Sequence, residues 1–115
     1  VIKGRPPRLD QIFQSYDPPL FFVTVCTIHR RKIDDLVAAH SAFRKYALRG
    51  ATEFNIAVGR YVIMPDHIHL FVRGDHTFEL TKWANGLKRA ISVALGTTSA
   101  NPLWQPRFFR SSIAQ

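Results

Sequence analysis

The chain has 115 residues, 46% of them hydrophobic, enough for one compact core and too few for two. Sixteen Lys and Arg against eight Asp and Glu leave a net charge of +8 and a pI near 10.4, so polyanions are the natural partners. No stretch approaches the roughly 20 apolar residues of a bilayer-spanning helix and no signal-peptide pattern opens the sequence, so the expectation is one soluble cytoplasmic domain over residues 1–115 with no membrane partner.

In chain order, VIKGRPPRL is basic, proline-containing and without period, which predicts an arm over residues 1–19 whose Arg5 and Arg8 can track phosphates. Leu20 to Ile28, LFFVTVCTI, is short and dense in β-branched and aromatic residues, the mark of a strand. The lone Cys26 inside it cannot form an internal disulfide and is expected in the core. Asp34 and Asp35 offer a helix N-cap, Leu36, His40, Phe43 and Ala47 recur at helical spacing, and Gly50 is the expected stop. Phe54 to Ile63 returns to strand composition. Met64-Pro65-Asp66 then makes a tight turn into a second, antiparallel strand, His67 to Arg73. Thr77 is positioned to cap a second helix with Leu80, Trp83, Leu87 and Ile91 as its apolar stripe and Gly96 as its end. Gly86 within it costs about 1 kcal/mol against alanine, so packing must hold the helix. Asn101-Pro102 breaks the chain before a final extended segment, Leu103 to Ile113.

The predicted order is β-α-β-β-α-β, an α+β plan of ferredoxin-like or RRM-like form: four antiparallel strands with both helices on one face. The other face is left free to meet a ligand.

Side chains alternate across a strand, so His67, His69, Phe71 and Arg73 share one face while Ile68, Leu70 and Val72 share the other. The aliphatic set belongs to the core, which sends the two imidazoles to the open face. Two neutral imidazoles at i and i+2 can converge on one metal ion and leave positions for a further protein ligand, water and a substrate oxygen. The chain is too short for a metal-dependent barrel hydrolase, which needs about 200 residues or more. A binuclear pattern would want its Asp-His closer than Asp75-His76 stands to His69.

These residues carry a resemblance. FFVTVCTIHRR (Phe21 to Arg31), YVIMPDHIHLFV (Tyr61 to Val72), GLKRAIS (Gly86 to Ser92) and LWQPRFF (Leu103 to Phe109) together resemble the single-tyrosine HUH transposases, in particular the REP-associated tyrosine transposases of bacteria. MPDHIHL is the specific part. The resemblance implies a nuclease and strand-transferase for single-stranded or hairpin DNA, in which a tyrosine attacks the scissile phosphate and becomes linked to the 5′ phosphate. It assigns His67 and His69 as ligands of a divalent ion, Mg²⁺ or Mn²⁺, and DNA as the partner, with a homodimer as an option. The sequence departs from the family where the nucleophile is expected: Arg110 to Gln115, RSSIAQ, contains no tyrosine. Either the chain stops short of the nucleophile helix and of the third ligand, or it is a shortened form that binds without cutting. Tyr16, Tyr46 and Tyr61 are not assigned that role.

Arg30, Arg31, Arg73, Lys88, Arg89, Arg107 and Arg110 join Arg5 and Arg8 as candidate phosphate contacts. Trp104, Phe108 and Phe109 are candidates for stacking on unpaired bases or, more simply, for packing. Two rival functions remain open on the residues alone: an RRM-like nucleic-acid binder without catalysis, and a small metal-dependent phosphohydrolase.

Overall fold

The computed structural model describes residues 1–4 and 18–113. Its elements are β1 (Ile2–Gly4), β2 (Leu20–Cys26), α1 (Leu36–Glu53), β3 (Ala57–Ile63), β4 (His67–Arg73), α2 (Leu80–Ala94) and β5 (Phe109–Ile113), with a 3₁₀ turn at Ile28–Arg30. The strands form one antiparallel sheet in the order β1-β3-β4-β2-β5. The β-α-β-β-α-β plan is therefore present with one strand added. That strand corrects the expectation of an arm from residue 1: Ile2 lies opposite Ile63 and Gly4 opposite Tyr61. Three residues are too few to show a period of two, and the free edge of β3 is what draws them into the ladder. Arg5 and Arg8 lie outside the described residues.

The core sits between the sheet and the helices. On β4, Ile68, Leu70 and Val72 are 0% exposed, and Val23, Val25 and Ile63 of the neighbouring strands join them. Against these pack Ala39, Phe43 and Ala47 of α1 and Leu80, Trp83, Leu87 and Ile91 of α2. Each fully buried aliphatic side chain contributes about 1.5–3 kcal/mol. Both helices therefore cover one face, and the alternate residues of β4 are only half-buried on the other.

Some boundaries differ from the sequence reading for identifiable reasons. Asp35 caps α1, its carboxylate accepting from the Ala38 amide at 2.9 Å. Gly50, the expected stop, is internal, and α1 runs on to Glu53. Asn55 supplies the left-handed residue there (φ 54°), with the amides of Phe54 and Ile56 both donating to the Gly50 carbonyl. Thr77 is not the cap of α2: its amide and hydroxyl both donate to the Asp75 carboxylate in the preceding turn, and the helix begins after Glu79. Gly96 does end α2, with φ 70°. Its amide donates to the Val93 carbonyl and that of Thr97 to the Ser92 carbonyl, the paired bonds of a Schellman motif. Gly86 is where the helices close on each other, since a Cβ there would stand 2.2 Å from the Tyr46 hydroxyl.

Of the predicted final segment only Phe109–Ile113 is strand. Leu103 and Trp104 are buried, and Trp104 Nε1 donates to the Lys88 carbonyl at 2.9 Å. Lys88 in turn donates from Nζ to the Gln105 carbonyl at 2.6 Å and is only 7% exposed. This corrects Lys88 as a surface phosphate contact, because its ammonium clasps α2 to the chain ahead of β5. Burial pushes its pKa down.

Candidate functional site

β4 lies at the centre of the sheet, between β3 and β2, and carries His67 and His69 on the face away from α1 and α2, which no helix among the described residues covers. Their ring centroids are 4.7 Å apart, with the rings set edge to face. His67 Nδ1 is 2.7 Å from Asp66 Oδ1, and His69 Nδ1 is 2.8 Å from the Thr24 hydroxyl on β2. A carboxylate only accepts, so His67 Nδ1 carries the proton and Nε2 presents the lone pair in the neutral ring. With Nδ1 engaged in both rings, Nε2 of each is the nitrogen available to a ligand. Such outer bonds are what orient metal-binding histidines. Phe22 stacks on His69 at 5.5 Å with the planes 16° apart, which fixes the second ring from the side.

The electrostatics favour an ionised carboxylate at Asp66 and a neutral ring at His69. The His67 hydrogen bond holds the Asp66 carboxyl below its usual range, helped by the charge of Arg30. Burial, and then the neighbouring His67, lower the His69 pKa. Arg30 Nε lies 3.6 Å from Asp66 Oδ2. Arg30 and His29 before it both adopt left-handed backbone, φ 55° and 50°. Two consecutive non-glycine residues in that region cost about 1–2 kcal/mol each, a local strain at the rim of the site.

Two imidazoles fit part of a divalent-metal donor set. Among the described residues no group of three His, Cys, Asp or Glu side chains is placed to hold an ion, so water, substrate oxygens or ligands outside those residues would complete it. Cys26 faces the same side as His67, its register partner, and is half-buried there rather than in the core as expected. Its place follows from the alternation that puts Val23 and Val25 inside.

The predicted phosphate contacts divide. Arg30 is at the histidines, and Arg73 stands at the far end of β4 on the same face, its Nε buried without a hydrogen-bond partner. Arg31 is turned away, one guanidinium nitrogen donating to the carbonyls of Asn101 (2.8 Å) and Pro102 (3.1 Å). Arg89 is exposed on α2, across the sheet from the histidines, and Arg107 is exposed in the turn before β5. Arg110 pairs with Val23 and so falls on the helix side of an edge strand. Sequence reasoning did not assign Asp66, Thr24, Phe22 or Lys3 to the site. Asp66 was legible from its place beside His67, whereas Thr24, Phe22 and Lys3 arrive only through strand register.

Neither described tyrosine reaches the histidines. Tyr61 points into the core, its hydroxyl 2.7 Å from His40 Nε2, and Tyr46 donates to the Trp83 carbonyl at 2.8 Å. Burial raises the pKa of both. Tyr16 lies outside the described residues.

No curated protein matches the sequence. Among solved structures, the fold is similar to a REP-associated tyrosine transposase bound to a REP hairpin, with a TM-score of 0.65 and 22% identity over 85% of this chain and 58% of that one. It is also similar to a candidate transposase from Deinococcus radiodurans R1, with a TM-score of 0.69 and 17% identity over 88% of this chain and 84% of that one. The chain thus spans little more than half the length of the first of these. Residues 21–115 match the family described as IS200-like transposases, and the chain belongs to that family.

Proposed function

We propose that this chain is the DNA-binding, metal-assisted part of an IS200-like transposase, receiving a phosphate of single-stranded or hairpin DNA at His67 and His69. The observation that carries the reading is the pair of imidazoles on one open strand face, 4.7 Å apart, each with Nδ1 engaged. The hairpin bound by the REP-associated relative supports the choice of DNA form, and the net charge of +8 supports a polyanion.

In this reading Asp66 keeps the Nδ1 proton on His67, and Thr24 and Phe22 fix the ring of His69. Arg30 and Arg73 set positive charge at the two ends of the β4 face. The imidazole pair suits Mn²⁺ better than Mg²⁺, and the ion, when bound, supplies a Lewis acid that polarises a phosphoryl oxygen. In the complete transposase a tyrosine oxygen attacks phosphorus, a phosphotyrosine ester forms at the 5′ phosphate, and the 3′ oxygen leaves as a hydroxyl. Rejoining is the reverse. Tyr46 and Tyr61 are held on the helix side, so this step needs a tyrosine from outside the described residues. Their placement favours a second reading for the chain by itself, a binder that does not cut.

Titrating labelled single-stranded, hairpin and blunt duplex DNA with the protein, with and without Mn²⁺, tests the proposal. Salt-sensitive preference for the unpaired or hairpin forms is expected. Its Mn²⁺-dependent part should vanish in the His67→Ala, His69→Ala variant, and no denaturant-stable protein–DNA adduct should form. Indifference to both DNA form and the histidines contradicts the proposal. An adduct would remove the second reading and place the nucleophile in this chain.

A further inference from the structure

The face away from α1 and α2 is apolar well beyond the histidines. Phe22 and Phe71 are register partners with ring centroids 5.0 Å apart, and Phe22 also stacks on His69. On β5, Phe109 pairs with Thr24 and Ser111 with Phe22, so Phe109 is the diagonal neighbour of Phe22 on the same face. Phe109 is 66% exposed and Ile113, further along the same edge, 37%. Aromatic side chains therefore stand on this face on three neighbouring strands, β4, β2 and β5.

Its charge has one sign. None of the five strands contains Asp or Glu, and the face carries Lys3 and Arg73. Asp66 at the rim is committed to His67 and Arg30. The Nε of Arg73 is buried without a hydrogen-bond partner, a cost of about 1–3 kcal/mol in the unliganded chain. From His67 to Arg73 the strand extends roughly 20 Å, room for a short run of unpaired nucleotides. A single strand finds rings for its bases and cations for its phosphates.

We infer that Phe22, Phe71 and Phe109 form a stacking platform for the unpaired bases that flank the phosphate at His67 and His69. The inference rests on the proposed function and adds to it the part of the substrate that is read by contact with base faces. Duplex DNA, whose bases are already stacked, gains nothing from the platform.

The test uses a short fluorescent oligothymidylate, the same strand with abasic residues in place of its bases, and Phe109→Ala in the full chain. Phe109 is exposed on an edge strand, so an unchanged thermal melt is expected. Phe109→Ala should weaken oligothymidylate binding by about five- to 150-fold and leave the weaker binding of the abasic strand unchanged. Phe71→Leu, which keeps an apolar side chain and leaves the Phe22 stack on His69 in place, should weaken binding in the same selective way. Equal affinity of wild type and variants for oligothymidylate, or equal weakening for both strands, overturns the platform. In that outcome retained single-strand binding that still needs His67 and His69 leaves the proposed function standing, whereas loss of all DNA binding by the wild type removes both. If Phe109→Ala instead dissolves a dimer seen by sedimentation and does not alter oligonucleotide affinity, a second copy occupies the face and the platform is wrong.

Discussion

The two sides of β4 differ in what they can tolerate. Ile68, Leu70 and Val72 are sealed under the helices, while His67, His69, Phe71 and Arg73, each one residue away, are half-buried on a face that neither described helix covers. The first set is fixed by volume: any lost methylene leaves a cavity. In the second, His67, His69 and Phe71 are held by specific bonds and stacks, from Asp66, Thr24 and Phe22, that orient their rings. One strand thus anchors the fold with one face and presents reactive nitrogens with the other. The same central position that buries its aliphatic side gives the histidines a rigid base.

The contrast breaks most visibly under truncation. Leu70→Ala should cost about 2–5 kcal/mol in a denaturant melt, while Phe109→Ala on the open face should stay within about 0.5 kcal/mol of wild type. Comparable losses for both would mean that the open face is packed against something. Gly86→Ala tests the covered side at the helix contact. The new methyl meets the Tyr46 hydroxyl, so a loss of about 1–3 kcal/mol is expected despite better helix propensity. Adding Tyr46→Phe should recover part of it. A gain in stability from Gly86→Ala alone would contradict the close approach of α1 and α2.

Lys88→Met asks whether a cation on the covered side has any part in binding DNA. Losing the bond to the Gln105 carbonyl should lower stability by about 1–2 kcal/mol and leave the affinity for single-stranded DNA and its salt dependence unchanged. A reduced salt slope would return Lys88 to the phosphate contacts. The smallest effect is expected from His40. Burial and then the Arg44 charge hold its folded pKa below the model-peptide value of 6.5. The unfolded chain therefore takes up the proton first. The contribution of neutral His40 is fully present above pH 6.5 and falls as the pH drops from there toward the folded pKa. A ring-proton titration by NMR with its midpoint above 6.5 would contradict the sign.

The sequence made the sided parts of this molecule legible and the joined parts not. Alternation along HIHLFVR divided β4 into its buried and its half-buried face without error, and Gly96 marked the end of α2 because a left-handed residue was needed there. Gly50 misled because Asn55 met the same need five residues later. Lys88 stands next to Leu87 in a helix, and its burial depends on Trp104 and Gln105 folding back across it, which no local pattern encodes. Likewise His67 with Asp66 forms a local motif, whereas the Thr24 bond and the Phe22 stack to His69 exist only once β2 pairs with β4. The short β1 was invisible for a related reason, since its strand state comes from the edge of β3.

The central claim is that two imidazoles on the open side of β4 act together on one cation. Calorimetric titration of Mn²⁺ into the folded protein and into His67→Ala and His69→Ala separately tests it most directly. A saturable binding step in the wild type that either substitution abolishes is the predicted result. Binding that survives in either single variant with unchanged affinity would contradict the claim.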